Sequence, residues 1–315
     1  MAVGDTITAA RYNNIRARVA AVLGLGAGDE GYGQSVTSQT VVVGNTVTAQ
    51  DMVNLDTDLT KIRVHQTGSL PAEIAPPSVG DTIEDSNNST KEGYAQYESL
   101  SITAQSSRLS VAPSQLGLES GITSSRTASW STDIDHYFTV TFGGYSVTNG
   151  DGSQTTISGV DHMRVYFNAG GTINISGLIG SGNTPINNDW RSLMSSVGTV
   201  VFGRSTTSNG SIGTSYGYSN LPGSYVTIFN KAASAYSAND YLIEAYKSGA
   251  VLYFKVTFNE DKGPNPNFDE AVTATTSSTA QQNRPNNTNS VNNKEIYDKS
   301  SIDNIRKTLL DWLDK

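Results

Sequence analysis

The chain has 315 residues and a formal net charge of −8 at pH 7, with 36% hydrophobic and 16% charged residues, 30 glycines and no cysteine. The missing cysteine rules out disulfides, thiolate metal sites and a cysteine nucleophile, and the acidic balance leaves no electrostatic footprint for nucleic acid or an anionic membrane. Serine, threonine, asparagine and glycine make up the difference, a composition that suits a turn-rich β-structure better than a compact α/β enzyme. No apolar run approaches the roughly 18 to 20 residues of a membrane span. MAVGDTITAA lacks the basic and apolar regions of a secretory signal, so synthesis in the cytosol is expected.

Residues 1–68 contain a repeat: Val3-Gly-Asp-Thr-Ile-Thr-Ala9 returns as Val43-Gly-Asn-Thr-Val-Thr-Ala49. In each copy a threonine, Thr8 or Thr48, is placed to cap an amphipathic helix. The apolar stripes are Tyr12, Ile15, Val19 and Val22 in the first copy and Met52, Leu55, Leu59 and Ile62 in the second, spaced three and four apart. Either these stripes pack on each other or they meet neighbouring subunits, because a pair of helices buries too little to stand alone. The motif returns as Val79-Gly-Asp-Thr-Ile83, but the following EDSNNS breaks the helical pattern, so only its extended part is expected there. Residues 69–93, with Pro71, Pro76 and Pro77, read as a linker.

Five glycines crowd Gly24 to Gly33, but they follow a helix and carry Asp29 and Glu30, which argues against a phosphate cradle and a nucleotide cofactor. Residues 94–272 are expected to form an antiparallel β-sandwich-like domain, which makes the fold class mainly β with an α-helical N-terminal module. Tyr94 to Gly121 alternates weakly and is read as one or two strands. Firm strands start at Tyr137–Phe142 and Tyr145–Thr148, followed by the turn Asn149-Gly-Asp-Gly152. The alternation in HMRVYFN and TINIS predicts a hairpin closed by Gly170-Gly171. Trp190, Leu193, Met194 and Val197 predict a short helix capped by Asn187 or Asn188 and ended by Gly198. Strands at Val200–Phe202, Tyr225–Phe229, Tyr241–Tyr246 and Val251–Phe258 complete the domain. The loop Gly177 to Asn188 and the helix around Trp190 are candidate subunit contacts.

Residues 273–299 are nearly all Thr, Ser, Gln and Asn and read as a polar low-complexity arm. Residues 300–315 follow as an amphipathic docking helix carrying Ile305, Leu309 and Trp312.

Candidates for chemistry are sparse. Asp133, Asp135 and His136, with Asp161 and His162, have the donor types for a metal, but solvated turn residues are the commoner reading, and no metal is assigned. Asn149-Gly-Asp-Gly opens like a calcium loop yet has Val160 where the bidentate glutamate belongs. Glu244 and Glu260 are the carboxylates to test for glycoside hydrolysis. No catalytic or cofactor-binding residues are assigned.

The repeat VGDTITAARYNNIRARVAAVLG, the elements GYGQ and RVHQTG, and the segments HMRVYFNAGGTINISG, DWRSLMSSVGTVVFG and VTFNEDKGPNPNFDE together resemble virion structural proteins of tailed bacteriophages, particularly large contractile-tailed phages of cyanobacteria. The resemblance implies a non-enzymatic component of a tail, baseplate, neck or fibre, assembled in the host cytoplasm and located in the virion. It implies other virion proteins and copies of the chain itself, around a three- or six-fold axis, as partners, with no catalytic residues to transfer. A different class of function is a glycan-binding adhesin at a fibre tip, whose partner is a host surface glycan. Its motives are the 15 tyrosines and the Gly/Ser-rich loop from Ser205 to Gly217. A polysaccharide-degrading tailspike ranks third and rests on Glu244 and Glu260 alone.

Overall fold

A computed structural model describes residues 8–26, 30–69, 75–87, 91–260 and 271–286, and the backbone of 294–298. The expected docking helix of 300–315, with Ile305, Leu309 and Trp312, lies outside the described residues. The helices are α1 Ala9–Leu23, α2 Ala49–Thr67, α3 Tyr94–Ser106, α4 Gly159–Asn168 and α5 Pro185–Val197. The strands are β1 Leu116–Leu118, β2 Ile122–Arg126, β3 Ile134–Phe142, β4 Tyr145–Thr148, β5 Gln154–Ile157, β6 Thr172–Ile179 and β7 Thr199–Phe202. After them come β8 Thr207–Ser208, β9 Gly213–Thr214, β10 Val226–Ala232, β11 Asp240–Ser248, β12 Val251–Asn259, β13 Thr276–Pro285 and β14 Lys294–Asp298. The chain is mainly β with antiparallel sheets and N-terminal helices, and it divides into two units. The first joins the chain up to Gly117 with Gly144–Gly170; the second joins Leu118–Gly143 with Gly171–Arg284 and β14. The boundary therefore does not fall at residue 94, and α3, β4, β5 and α4 belong with the helical unit.

In the helical unit α1, α2 and α3 each pack on the other two. They run in parallel. At their starts the Tyr12 hydroxyl donates to the Asp51 carbonyl at 3.2 Å, and Arg11 pairs with Glu98 at 2.6 Å. At their ends Gln66 donates to the Ala104 carbonyl at 2.8 Å. The threonine caps form as expected: Thr8 accepts from the Arg11 amide at 3.2 Å, and Thr48 forms a capping box with Asp51.

After the third repeat copy the described residues 84–87 are not helical, as the break in the pattern leads one to expect, and the next helix, α3, starts at Tyr94. The carbonyls of Glu84 and Asp85 accept from the amides of Tyr94 and Ala95 at 2.8 and 2.9 Å, so the segment after Ile83 lies on the start of α3 and satisfies two of its first amides. The stretch read as a linker is thus part of the unit, with an Ala75–Lys91 bridge at its base.

Helix α4 corrects the expected strand HMRVYFN. Ser158 caps it by accepting from the Asp161 amide at 3.1 Å, a local signal that outweighs the apparent alternation. Met163, Val165, Tyr166 and Phe167 are all buried, so the helix lacks the polar face that reveals a 3.6-residue period. Its Arg164 reaches the carbonyls of Leu25, at 2.9 Å, and of Glu30, and Asn168 donates to the Gly31 carbonyl at 3.3 Å. The glycine-rich segment is therefore a tight backbone crossing. A Cβ on Gly31, at φ +94°, would lie 2.4 Å from the carbonyl oxygens of Gly24 and Leu25. The turn Asn149–Gly152 closes the β4–β5 hairpin as expected.

The second unit is sandwich-like. One sheet orders its strands β1-β13-β6-β7-β8-β9, with β2 also on β13, and the other β10-β11-β12-β3-β14. Burial alternates strictly along β3, so Phe138, Val140 and Phe142 face inward. The rings of Phe202 on β7 and Phe254 on β12 meet edge-on at 5.2 Å between the sheets. Helix α5 begins earlier than expected, at Pro185, and its cap is Thr184 instead of Asn187 or Asn188; Gly198 at φ +63° ends it.

The polar arm of 273–299 is corrected most sharply, since its residues 276–285 are β13, an interior strand of the seven-stranded sheet. Its inward positions are Thr276, Ser278, Ala280 and Gln282. The Trp130 indole donates to Thr276 at 2.9 Å, and His136 Nδ1 lies 2.9 Å from the Ser278 hydroxyl. Ladder bonds to β6 on one side and β2 on the other satisfy the backbone whatever the side chains are.

Candidate functional site

The residues singled out for chemistry do not converge. His136 points into the sandwich toward Ser278. Asp135, one position away, faces the opposite side of β3, where it accepts from Thr257 at 2.6 Å and pairs with Lys255 at 3.4 Å. Asp133 accepts from the Glu260 amide at 3.0 Å, while Asp161 caps α4 in the other unit. Among the described residues no three His, Asp or Glu side chains form a metal-holding group. The β11–β12 register sets Glu244 opposite Lys255, and Glu260 lies five residues further along the chain. That is about 17 Å at ~3.4 Å per residue, beyond the ~5 to 9.5 Å of a glycosidase carboxylate pair.

The interface candidates among the described residues are spent on the fold. Tyr12, Ile15, Val19, Met52, Leu55, Leu59 and Ile62 are sealed inside the core of the three helices. Of the two readings of these stripes, the structure takes the one in which they pack on each other, with α3 supplying the third wall. Trp190 is also buried, with Trp130 at 5.4 Å and Phe258 at 5.6 Å. Gly177, expected in a surface loop, lies within β6, where a Cβ would meet Met194 Sδ at 2.5 Å.

Inside the helical unit the connection from α1 to α2 is held by side chains. Both carboxylate oxygens of the buried Asp58 accept from the Thr37 amide, and Oδ2 also takes the Ser38 amide at 2.7 Å and its hydroxyl at 2.8 Å. Asn13 exchanges two hydrogen bonds with the backbone of Val41, at 2.8 and 2.9 Å. His65 lies against the Tyr32 ring at 4.8 Å; burial pushes its imidazole down to about 4, with the Ala169 carbonyl working in the opposite direction. Arg11 spans Asp85 and Glu98 at 2.8 and 2.6 Å, which raises its own proton affinity, and both carboxyls are held below the usual range, chiefly by hydrogen bonds from Arg11.

A cleft of about 240 Å³ opens in this unit between Arg16, Gln34, Gln39, Asn149 and Asp151. Most of its polar groups already serve the fold: Arg16 donates to the Ser38 carbonyl, Asn149 accepts from the Val36 amide, and Asp151 accepts from both the amide and the hydroxyl of Ser153.

Two surface features remain. The first is the repeat itself. In Val42-Val43-Gly44-Asn45 the Asn45 amide donates to the Val42 carbonyl at 3.0 Å with Gly44 at φ +94°. In Ser78-Val79-Gly80-Asp81 the same bond is 3.0 Å with Gly80 at φ +96°. Both are type II turns with valine at the apex, 85% exposed at Val43 and 94% at Val79. The signal was present in Val-Gly-Asp/Asn, since glycine in the third turn position sets the preceding residue at the tip.

The second feature is the outer face of the five-stranded sheet. There the ring of Tyr246 stacks on Tyr253 at 4.4 Å and 3° and meets Tyr225 edge-on at 4.6 Å. Burial, with the neighbouring tyrosines and Glu244 adding to it, pushes the Tyr225 hydroxyl up to about 12. The Gly/Ser-rich stretch from 205 to 217 folds into the β8–β9 hairpin that extends the other sheet. Comparisons of the chain with protein-family models, with curated proteins and with solved structures found no match.

Proposed function

We propose that this chain is a non-enzymatic structural component of a tailed-phage particle, acting through contacts between subunits. The observation that carries it is the pair of ordered, hydrogen-bonded turns that hold Val43 and Val79 in open solvent, where they bury nothing in their own fold. Apolar side chains held outward by a hydrogen-bonded turn are surface that a partner can cover. The sequence resemblance points to the same class. It also names the partners as other virion proteins and copies of the chain itself, and the place as the virion. Mass spectrometry of gradient-purified particles from the phage that encodes the chain tests the reading: peptides from it at stoichiometric levels are expected, and their absence from intact particles overturns it.

The adhesin reading draws on the tyrosines of the outer sheet face. The stacking of Tyr246 on Tyr253 takes up one face of each ring, which leaves less flat aromatic surface for a sugar than the tyrosine count alone implies. A glycan array probed with the full chain distinguishes it, and no binding is expected.

A further inference from the structure

We propose that the end of the helical unit at which α1, α2 and α3 begin is a docking end, where Val43 and Val79 insert as apolar knobs into a basic protein surface. This deepens the assembly reading and rests on it.

The first support is what the turns require. A type II turn needs glycine at its third position, and Gly44 and Gly80 meet that need, but its second position accepts most residues. Valine there adds nothing to the turn, and the space around both glycines is open, with no atom within 4 Å of an added Cβ. The motif divides its two apolar positions by role. Val47 and Ile83, four residues after the apex valines, turn into the helical core, while the valines point away from it.

The second support is placement. The turn at Val43 leads within a few residues to the Thr48 cap of α2, and the turn at Val79 leads to Glu84 and Asp85 at the start of α3. Because the helices run in parallel and each packs on the other two, both turns lie at the end where the helices begin.

The third support is charge. Asp51, Asp81, Glu84, Asp85 and Glu98 are gathered at this end against Arg11 and Lys91. Five acids outnumber two bases among these residues, and a net negative end is complementary to a basic partner.

The test uses the full chain and particles assembled without it. The wild-type protein is expected to bind such particles saturably, at least tenfold more weakly in about 0.5 M than in about 0.05 M salt. The double variant V43D/V79D is expected to lose at least tenfold in affinity with an unchanged helical circular dichroism signal. If the aspartates reduce that signal, V43A/V79A replaces them and is expected to lose affinity in the same direction. Binding by the alanine pair equal to wild type overturns the proposal, and binding insensitive to salt overturns its basic partner. A drop in the oligomeric state of the isolated chain on substitution overturns it by assigning the end to a second copy. In each of these cases, finding the wild-type chain in purified particles leaves the assembly reading standing and removes only the docking end.

Discussion

The two units meet the same physical demand by different means. In the helical unit the described part of the connection between α1 and α2 forms no strand: Tyr32, Gly33 and Gln34 bond to the backbone at the end of α1, and beyond them amides and carbonyls take Asp58, Asn13 and Asn149. In the sandwich the ladders satisfy the backbone, and the side chains of an interior strand are free to be Thr, Ser and Gln. Where the backbone finds its partners therefore decides how much each side chain has to specify. Polar residues anchor the α1–α2 connection one by one, whereas in the sandwich a cluster of rings gathers around Trp190 and Phe258.

The comparison can be broken at its strongest points first. Trp190→Ala empties the centre of the sandwich and is expected to cost about 3 to 5 kcal/mol. Urea unfolding monitored by hydrogen exchange of the amides from 171 to 284 measures it; a loss below about 1 kcal/mol would show that the ring cluster is not the centre. Asp58→Ala leaves the Thr37 and Ser38 amides and the Ser38 hydroxyl without their acceptor, and a cost of about 2 to 4 kcal/mol is expected, read as lost exchange protection in 30–41.

Acid is expected to weaken the helical unit in a particular window. Burial holds His65 down to about 4 in the folded state, below an unfolded value near 6.5. Its contribution is therefore complete above about pH 6.5. As pH falls through that value the unfolded chain takes up a proton that the folded chain refuses, and stability drops by up to about 3 kcal/mol by pH 4. Melting curves at successive pH values should show this slope, and His65→Gln should flatten it between pH 6.5 and 4. The smallest effect sharpens the contrast along β13. Ser278→Ala removes the partner of His136 and is expected to cost about 1 to 2 kcal/mol, while Ser277→Ala on the other face should stay within about 0.5 kcal/mol. Equal effects at the two positions would mean that the polar residues of β13 do not alternate in role.

The legible parts were local ones. Thr8 and Thr48 announced α1 and α2, and the alternation in Tyr137–Phe142 and Val251–Phe258 announced β3 and β12, because each signal lies within a few residues of the element it starts or fills. The Ser158-x-x-Asp161 cap was just as local, but the burial of α4 on several sides made its apolar residues look like alternation. The apex valines were visible as a repeat and were misread as extended chain, since the turn depends on a backbone angle at Gly44 and Gly80.

By itself the sequence determined the caps at Thr8 and Thr48, the alternation of β3 and β12 and the turn Asn149–Gly152, all set by steric and hydrogen-bonding preferences that act over four or five residues. Tertiary structure alone decided three things: that α3 completes a parallel trio, that β13 lies within a sheet, and that the stripes face inward. Each of these depends on which distant backbone or apolar surface is available as a partner, and a short window of residues carries no record of that.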